Sequence, residues 1–195
     1  MSIMVGSTGG VFAGRLGEAE TALVAEGLGK PGTRWPRTLA ELPVLSALAS
    51  KFLAVATPRS LGLIAVGSAA EDVVAYQSAW AAPRDIRVVG EINRGQAARG
   101  WKSTNVEHAL AADVVVIGAD AGLPTAQLPE LVRKGTHLTY WAPSCDLLAP
   151  LLPFCTLTVD RIAHPRQASV LAEVVAGLVD GRVLDEITVL HLPIS

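Results

Sequence analysis

The sequence predicts an α/β fold: a Rossmann-like parallel sheet flanked by helices, with a short Gly-rich N-terminal appendage. Three observations carry this expectation. Short apolar, β-rich runs recur at 60–67, 86–89, 113–117 and 137–141. Helix-length segments, 68–80 and 104–112, stand between the first three, which is the pattern of βαβ units. Two further strands, 156–160 and 186–191, flank an amphipathic helix at 170–178. Right-handed crossovers place the loops after Ile64, Val89 and Ile117 along one edge of the sheet. Open α/β sheets bind their ligands at that carboxyl edge.

Composition narrows the function classes. The 195 residues suit one domain, and 50% hydrophobic against 17% charged residues allow a sizeable core. With 5% aromatics, that core is built mainly of Val, Leu, Ala and Ile. A formal net charge of −2 without a basic block argues against a nucleic-acid surface. No apolar run reaches the roughly 18 residues of a membrane-crossing helix. Met1-Ser-Ile-Met-Val5 lacks the basic start of a signal peptide. Cys145 and Cys155 fit a reducing cytoplasm, as small buried hydrophobes. His108, His137, His164 and His191 share no metal-ligand spacing, so no metal is expected. His164 sits near Asp160 and Arg161, a grouping that suits a turn network or a cluster at a strand end.

The elements are justified in order. Residues 1–36 form the appendage and 37–195 the Rossmann-like domain. Ser7-Thr8-Gly9-Gly10 lacks the Gly-Lys-Ser/Thr ending of a P-loop. Its adjacent glycines suit a hairpin turn, and the opening segment reads as a short strand or two. Thr38–Ala54 reads as a helix, because Leu42, Leu45, Leu48, Ala49 and Phe52 recur at steps of three and four. Thr57-Pro58 stops it. Leu128–Gly135 reads as a short helix with Pro129 in its first turn and Gly135 as its C-cap.

Several strings, in one order, resemble the ornithine cyclodeaminase/μ-crystallin family. Trp35-Pro-Arg37-Thr38 leading into Ser46–Ala54 is similar to that family's Arg-Thr-Ala-Ala helix. Arg59–Gly67 is similar to the strand entering its glycine loop, and Ala112-Asp113-Val-Val-Val to its third-strand signature. Leu131–Leu138 and Glu173–Val189 resemble its lysine-proline-glycine-threonine-histidine and closing segments. The resemblance implies a domain binding NAD(H) or NADP(H), and a separate dimerisation and substrate domain of which residues 1–36 are a remnant, making this a shortened, divergent member. It implies action on a small amino or imino acid or a cyclic amine. The chemistry is either NAD(P)H-dependent reduction or a cofactor-independent cyclisation or elimination, by an oxidoreductase or a cyclodeaminase-like lyase. A non-catalytic ligand-binding or scaffold subunit is the alternative. An apolar 42–52 helix left exposed by the missing domain predicts a homodimer or higher homo-oligomer.

The site residues follow from the same comparison. The family turn Gly-x-Gly-x-x-Ala matches Ala65-Val66-Gly67-Ser68-Ala69-Ala70, with alanine at the first glycine. Gly67, Ser68, Ala69 and Ala70 would cradle the pyrophosphate, although Glu71 and Asp72 compete with a phosphate there. Asn93 and Arg94 fall where a ribose is held, and Arg94 favours NADP. Arg37 matches the arginine that holds the substrate carboxylate. Ser144 falls at the family's catalytic aspartate, with Asp146 two residues on as a substitute. Asp120 stands where members often carry threonine, facing a ligand or capping a turn. Trp141, with Tyr140 and Trp101, walls an apolar pocket or packs in the core.

Overall fold

The computed structural model describes residues 8–27, 39–159, 169–182 and 185–194. Eight strands form one sheet: β1 (Ser60–Ile64), β2 (Asp85–Val89), β3 (Trp101–Thr104), β4 (Val114–Ile117), β5 (His137–Trp141), β6 (Cys155–Val159), β7 (Ser169–Val170) and β8 (Ile187–Leu192). Their order is β3-β2-β1-β4-β5-β8-β6-β7, and every pairing is parallel. The chain reverses its direction of travel between β1 and β4. A doubly wound sheet opens its crevice at that point.

All residues of β1, β4, β5 and β8 are buried, as expected of parallel strands covered on both faces. One face carries Leu61, Leu63, Val114, Val116, Trp141, Leu190 and Leu192 beneath α2 (Leu42–Leu53). The other carries Ile64, Val115, Ile117, Leu138, Tyr140 and Val189 beneath α5 (Val106–Leu110) and α6 (Leu128–Leu131). A Cβ at Gly62 would overlap the Ala109 carbonyl, so glycine there lets α5 lie directly on β1. The α-helices α3 (Ala70–Ser78), α4 (Arg94–Ala98) and α7 (Leu171–Val175) also lie between strands in the chain, α7 between β7 and β8.

The N-terminal appendage departs from expectation. Thr8–Gly27 is a 20-residue helix, α1, rather than a strand or hairpin. Phe12, Leu16, Ala19 and Leu23 recur at helical steps and bury a stripe against the core, while a Cβ at Gly10, Gly14 or Gly17 would meet open space. Packing of that stripe overrides the poor helix propensity of the glycines. Phe12 meets Tyr76 edge-on, with ring centroids 4.9 Å apart, and Lys51 Nζ lies 2.6 Å from Glu20 Oε2.

The apolar 42–52 helix is not left exposed: α2 is buried from Leu42 to Ser50 between the sheet and helices α1, α3 and α7. Its polar residues bond inside that layer. Gln77 Nε2 donates to Ser50 Oγ at 2.9 Å, and Trp80 Nε1 donates to Gln77 Oε1 at 3.0 Å. The helix expected at 128–135 is short: Val132 is already extended, and Gly135, at φ 83°, turns the chain into β5.

Candidate active site at the carboxyl edge

The turn after β1 holds two left-handed residues, Ala65 at φ 53° and Gly67 at φ 56°. Glycine adopts this backbone freely, whereas alanine at φ 53° costs roughly 1–2 kcal/mol. The chain therefore holds a left-handed backbone at the position where the matched turn has its first glycine. Gly67–Ala69 makes a single 3-10 turn, and α3 begins at Ala70 without a side-chain cap. Ala65, Gly67 and Ser68 are exposed, Ala69 is half-buried and Ala70 is buried. The α3 N-terminus thus faces the crevice with its amides clear of a capping side chain, a favourable place for an anion.

The protein sets its own carboxylate in the first turn of that helix. Glu71 accepts from Arg99 Nη2 at 2.5 and 2.6 Å and from Gln96 Nε2 at 3.1 Å. Gln96 also closes a capping box on α4: its amide donates to Asn93 Oδ1, and its Oε1 accepts from Asn93 N–H, both at 2.9 Å. Asn93 is thereby committed to the cap, while the adjacent Arg94 is exposed. Arg99 lies over the Trp101 ring at 5.4 Å. Asn93 and Arg94 are linked to Gly67–Ala70 through this Gln96–Glu71 bond.

Across the switch point, Gly118 N–H donates to the Ile64 carbonyl at 2.8 Å, and a Cβ at Gly118 would overlap the Ala65 carbonyl. The turn after β4 therefore sits directly on the turn after β1. Asp120 follows in that loop and is exposed.

After β5, Ser144 Oγ donates to Asp146 Oδ2 at 2.8 Å, and both residues are exposed. The structure thus joins the two residues that the sequence comparison matched to the family's aspartate and its neighbour. A carboxylate so oriented can accept a proton from a ligand at the sheet edge. Trp141 is 5% exposed, and its indole N–H donates to Ser46 Oγ at 2.9 Å, tying β5 to α2. Arg37 lies outside the described residues, as do Asp160, Arg161 and His164.

Tyr140, expected in a pocket wall or the core, lies in the core. Tyr140 is 1% exposed, and its hydroxyl makes no hydrogen bond among the described residues. Burial, followed by the neighbouring Cys145 and Asp146, raises its pKa. A buried hydroxyl donor without a partner, next to Asp146, is uncommon and calls for an explanation. Its sequence signal was an aromatic hydroxyl three residues from a strand's start, one position before Trp141. Among the described residues, no cluster of three metal-ligating side chains occurs.

The strand order and switch point define an α/β protein with a Rossmann-type parallel sheet. Its fold is that of the ornithine cyclodeaminase/μ-crystallin-like structures. An archaeal alanine dehydrogenase dimer with bound NAD is similar at 19% identity and a TM-score of 0.63, over 80% of this chain and 59% of that one. The Thermococcus litoralis Δ1-pyrroline-2-carboxylate reductase, in complex with NADH and L-proline, gives 20% identity and 0.61, over 77% and 58%. A lysine cyclodeaminase, in a structure of its recognition of L-lysine, L-ornithine and L-2,4-diaminobutyric acid, gives 20% and 0.57, over 77% and 52%. The chain therefore spans between half and three-fifths of the length of these structures. No protein-family model matches the sequence, and a comparison with curated proteins finds no match.

Proposed function

We propose that this protein binds NAD(P)H and acts on a small amino or imino acid or a related cyclic amine, as a homodimer or higher homo-oligomer in the cytoplasm. The chemistry is reduction of an imine, or a cyclisation or elimination of the kind cyclodeaminases perform. One observation supports the reading most: Ala65 and Gly67 are both left-handed, a backbone suited to the tight turn before a phosphate-binding helix although the first glycine is gone. A bound nicotinamide would supply hydride exchange. The chain's own residues would do the rest. Gly67, Ser68, Ala69 and Ala70 hold the pyrophosphate at the start of α3, and Arg94 faces the ribose, favouring NADP, while Asn93, whose side chain closes the α4 cap, fixes where Arg94 starts. Arg37 pairs with the substrate carboxylate. Asp146, oriented by Ser144, handles the proton, with Asp120 as the second candidate. Trp141 backs the substrate side from the core. The likeness to structures holding NAD, or NADH and proline, supports the reading.

A second reading has its own support. Glu71, held by Arg99 and Gln96, sets a carboxylate in the first turn of α3, where it opposes a bound phosphate. That arrangement favours a non-catalytic ligand-binding or scaffold subunit with a degenerate dinucleotide site.

Calorimetric titration of the full chain with NADH and NADPH separates the two. Saturable binding below about 1 mM supports the first, within the ordinary range for enzyme substrates. The absence of binding by either cofactor at that concentration overturns it.

A further inference from the structure

The amino edge of the sheet, opposite the turn at Gly67, carries an opening of its own. A cleft of about 600 Å³ there is lined by residues that include Pro58, Arg59, Trp80, Arg84 and Asp85, a size that suits a small ligand. Main-chain bonds fix its frame. The Arg59 and Ser60 amides donate to Asp113 Oδ2 at 2.7 and 3.0 Å, and the Asp113 amide donates to Ser60 Oγ at 2.9 Å. The Arg84 and Asp85 amides both donate to the Arg59 carbonyl, at 2.9 and 3.1 Å. Arg59 and Arg84 thus leave neighbouring points of a braced platform.

Their guanidinium groups are uncommitted: neither forms a hydrogen bond or an ion pair among the described residues. The cleft's carboxylate, by contrast, is already satisfied. Asp85 accepts from Lys102 Nζ at 2.8 Å and from Arg87 Nε at 2.8 Å, and Arg87 Nη2 lies 2.7 Å from it. The Lys102 hydrogen bond, and then Arg87, hold its carboxyl below the usual range. Asp113 spends an oxygen on two amides. The balance of charge at the cleft is therefore positive. The Trp80 N–H is taken by Gln77, so Trp80 offers the cleft its ring rather than its donor.

We propose that this cleft binds a small anion carrying a planar ring, an aromatic phosphate or carboxylate, with Arg59 and Arg84 gripping the anionic end and Trp80 flanking the ring. Planar guanidinium forks match both oxyanions in geometry, and an indole face accepts a flat ring. The site stands apart from the dinucleotide turn and does not depend on it.

The test titrates the full chain, at low ionic strength, with phenyl phosphate, benzoate and phenol, read by calorimetry and tryptophan fluorescence. Phenyl phosphate or benzoate should bind saturably, and the tighter of the two identifies the oxyanion. Phenol should bind at least about tenfold more weakly, and the Arg59→Ala/Arg84→Ala double variant should lose about tenfold or more for the anion. Titration with NADH should be the same for wild type and variant. Failure of both anions to bind, equal binding of phenol, or an unchanged double variant would overturn the proposal. Neither guanidinium bonds to another of the described residues, so the variant should melt like wild type. Should it not, Arg84→Gln alone provides the same comparison.

Discussion

Glu71 and Arg99 are joined through both carboxylate oxygens, across the gap between the first turn of α3 and the end of α4. The pair is about half exposed on each side, so its contribution to stability is below about 1 kcal/mol. Its weight falls on the site instead, because it sets a negative charge in the first turn of the helix proposed to receive a pyrophosphate.

Glu71→Gln should therefore strengthen NADH or NADPH binding by roughly fivefold, about 1 kcal/mol of relieved repulsion at the helix start. The measurement is a cofactor titration of the variant beside wild type. Equal affinity would place Glu71 out of the cofactor's reach.

Ala65→Gly should stabilise the fold by roughly 0.5 kcal/mol. Relief of the left-handed alanine, about 1–2 kcal/mol, exceeds the 0.4–1 kcal/mol cost of a looser unfolded chain. Ala65 is exposed, so no packing is lost. A denaturant midpoint that fell would show that the alanine is unstrained.

Gly14→Ala and Gly17→Ala should each add roughly 0.5–1 kcal/mol, since each sits inside α1 with open space where the Cβ would go. Leu23→Ala, by contrast, should cost about 2–4 kcal/mol, as Leu23 is buried. Chemical denaturation of the three variants checks both signs. Unchanged stability in Leu23→Ala would mean that α1 does not dock in solution.

His137 makes stability depend on pH. The Thr188 hydroxyl donates to the Leu53 carbonyl at 3.1 Å, so its oxygen must accept from His137 Nδ1 at 3.0 Å. That assigns the proton to Nδ1 and leaves Nε2 to accept from Thr139 Oγ1 at 3.1 Å. Burial lowers the His137 pKa from 6.5 to about 3. Below pH 6.5 the unfolded chain takes up a proton that the folded chain refuses until about pH 3. Stability should thus be full above pH 6.5 and fall by up to about 1.4 kcal/mol per pH unit beneath it. In His137→Leu, unfolding free energies measured from pH 7 to 4 should lose this slope. An equal slope would assign it to other groups.

How much of this was legible in the sequence varies by element. β1 and β4 announce themselves because strands buried on both faces are mostly apolar, whereas β5 also buries His137 and Thr139 and is read from Leu138, Tyr140 and Trp141. β3 does not: Trp101-Lys-Ser-Thr104 is four residues at the sheet's edge, with Lys102 and Ser103 exposed, so it has no apolar run to read. α1 was hidden by its glycines, which mask a Phe12, Leu16, Ala19, Leu23 stripe that only packing makes helical. At the site, the turn and the Ser144–Asp146 proximity could be read from spacing. The commitment of Asn93 to a capping box was also visible, as Asn followed three residues later by Gln, but it competes with the ribose reading of the same residue. The Glu71–Arg99 bond joins residues 28 apart in the chain and leaves no local trace.

The bare backbone at Gly118 has a mechanical consequence. With no side chain between them, the two loops flanking the crevice rest carbonyl against Cα and share the Gly118–Ile64 bond. They can therefore move only as one piece. A guest that widens the mouth at Gly67 must drag the Asp120 loop along with it, and an alanine at 118 would wedge the same joint open with no guest present.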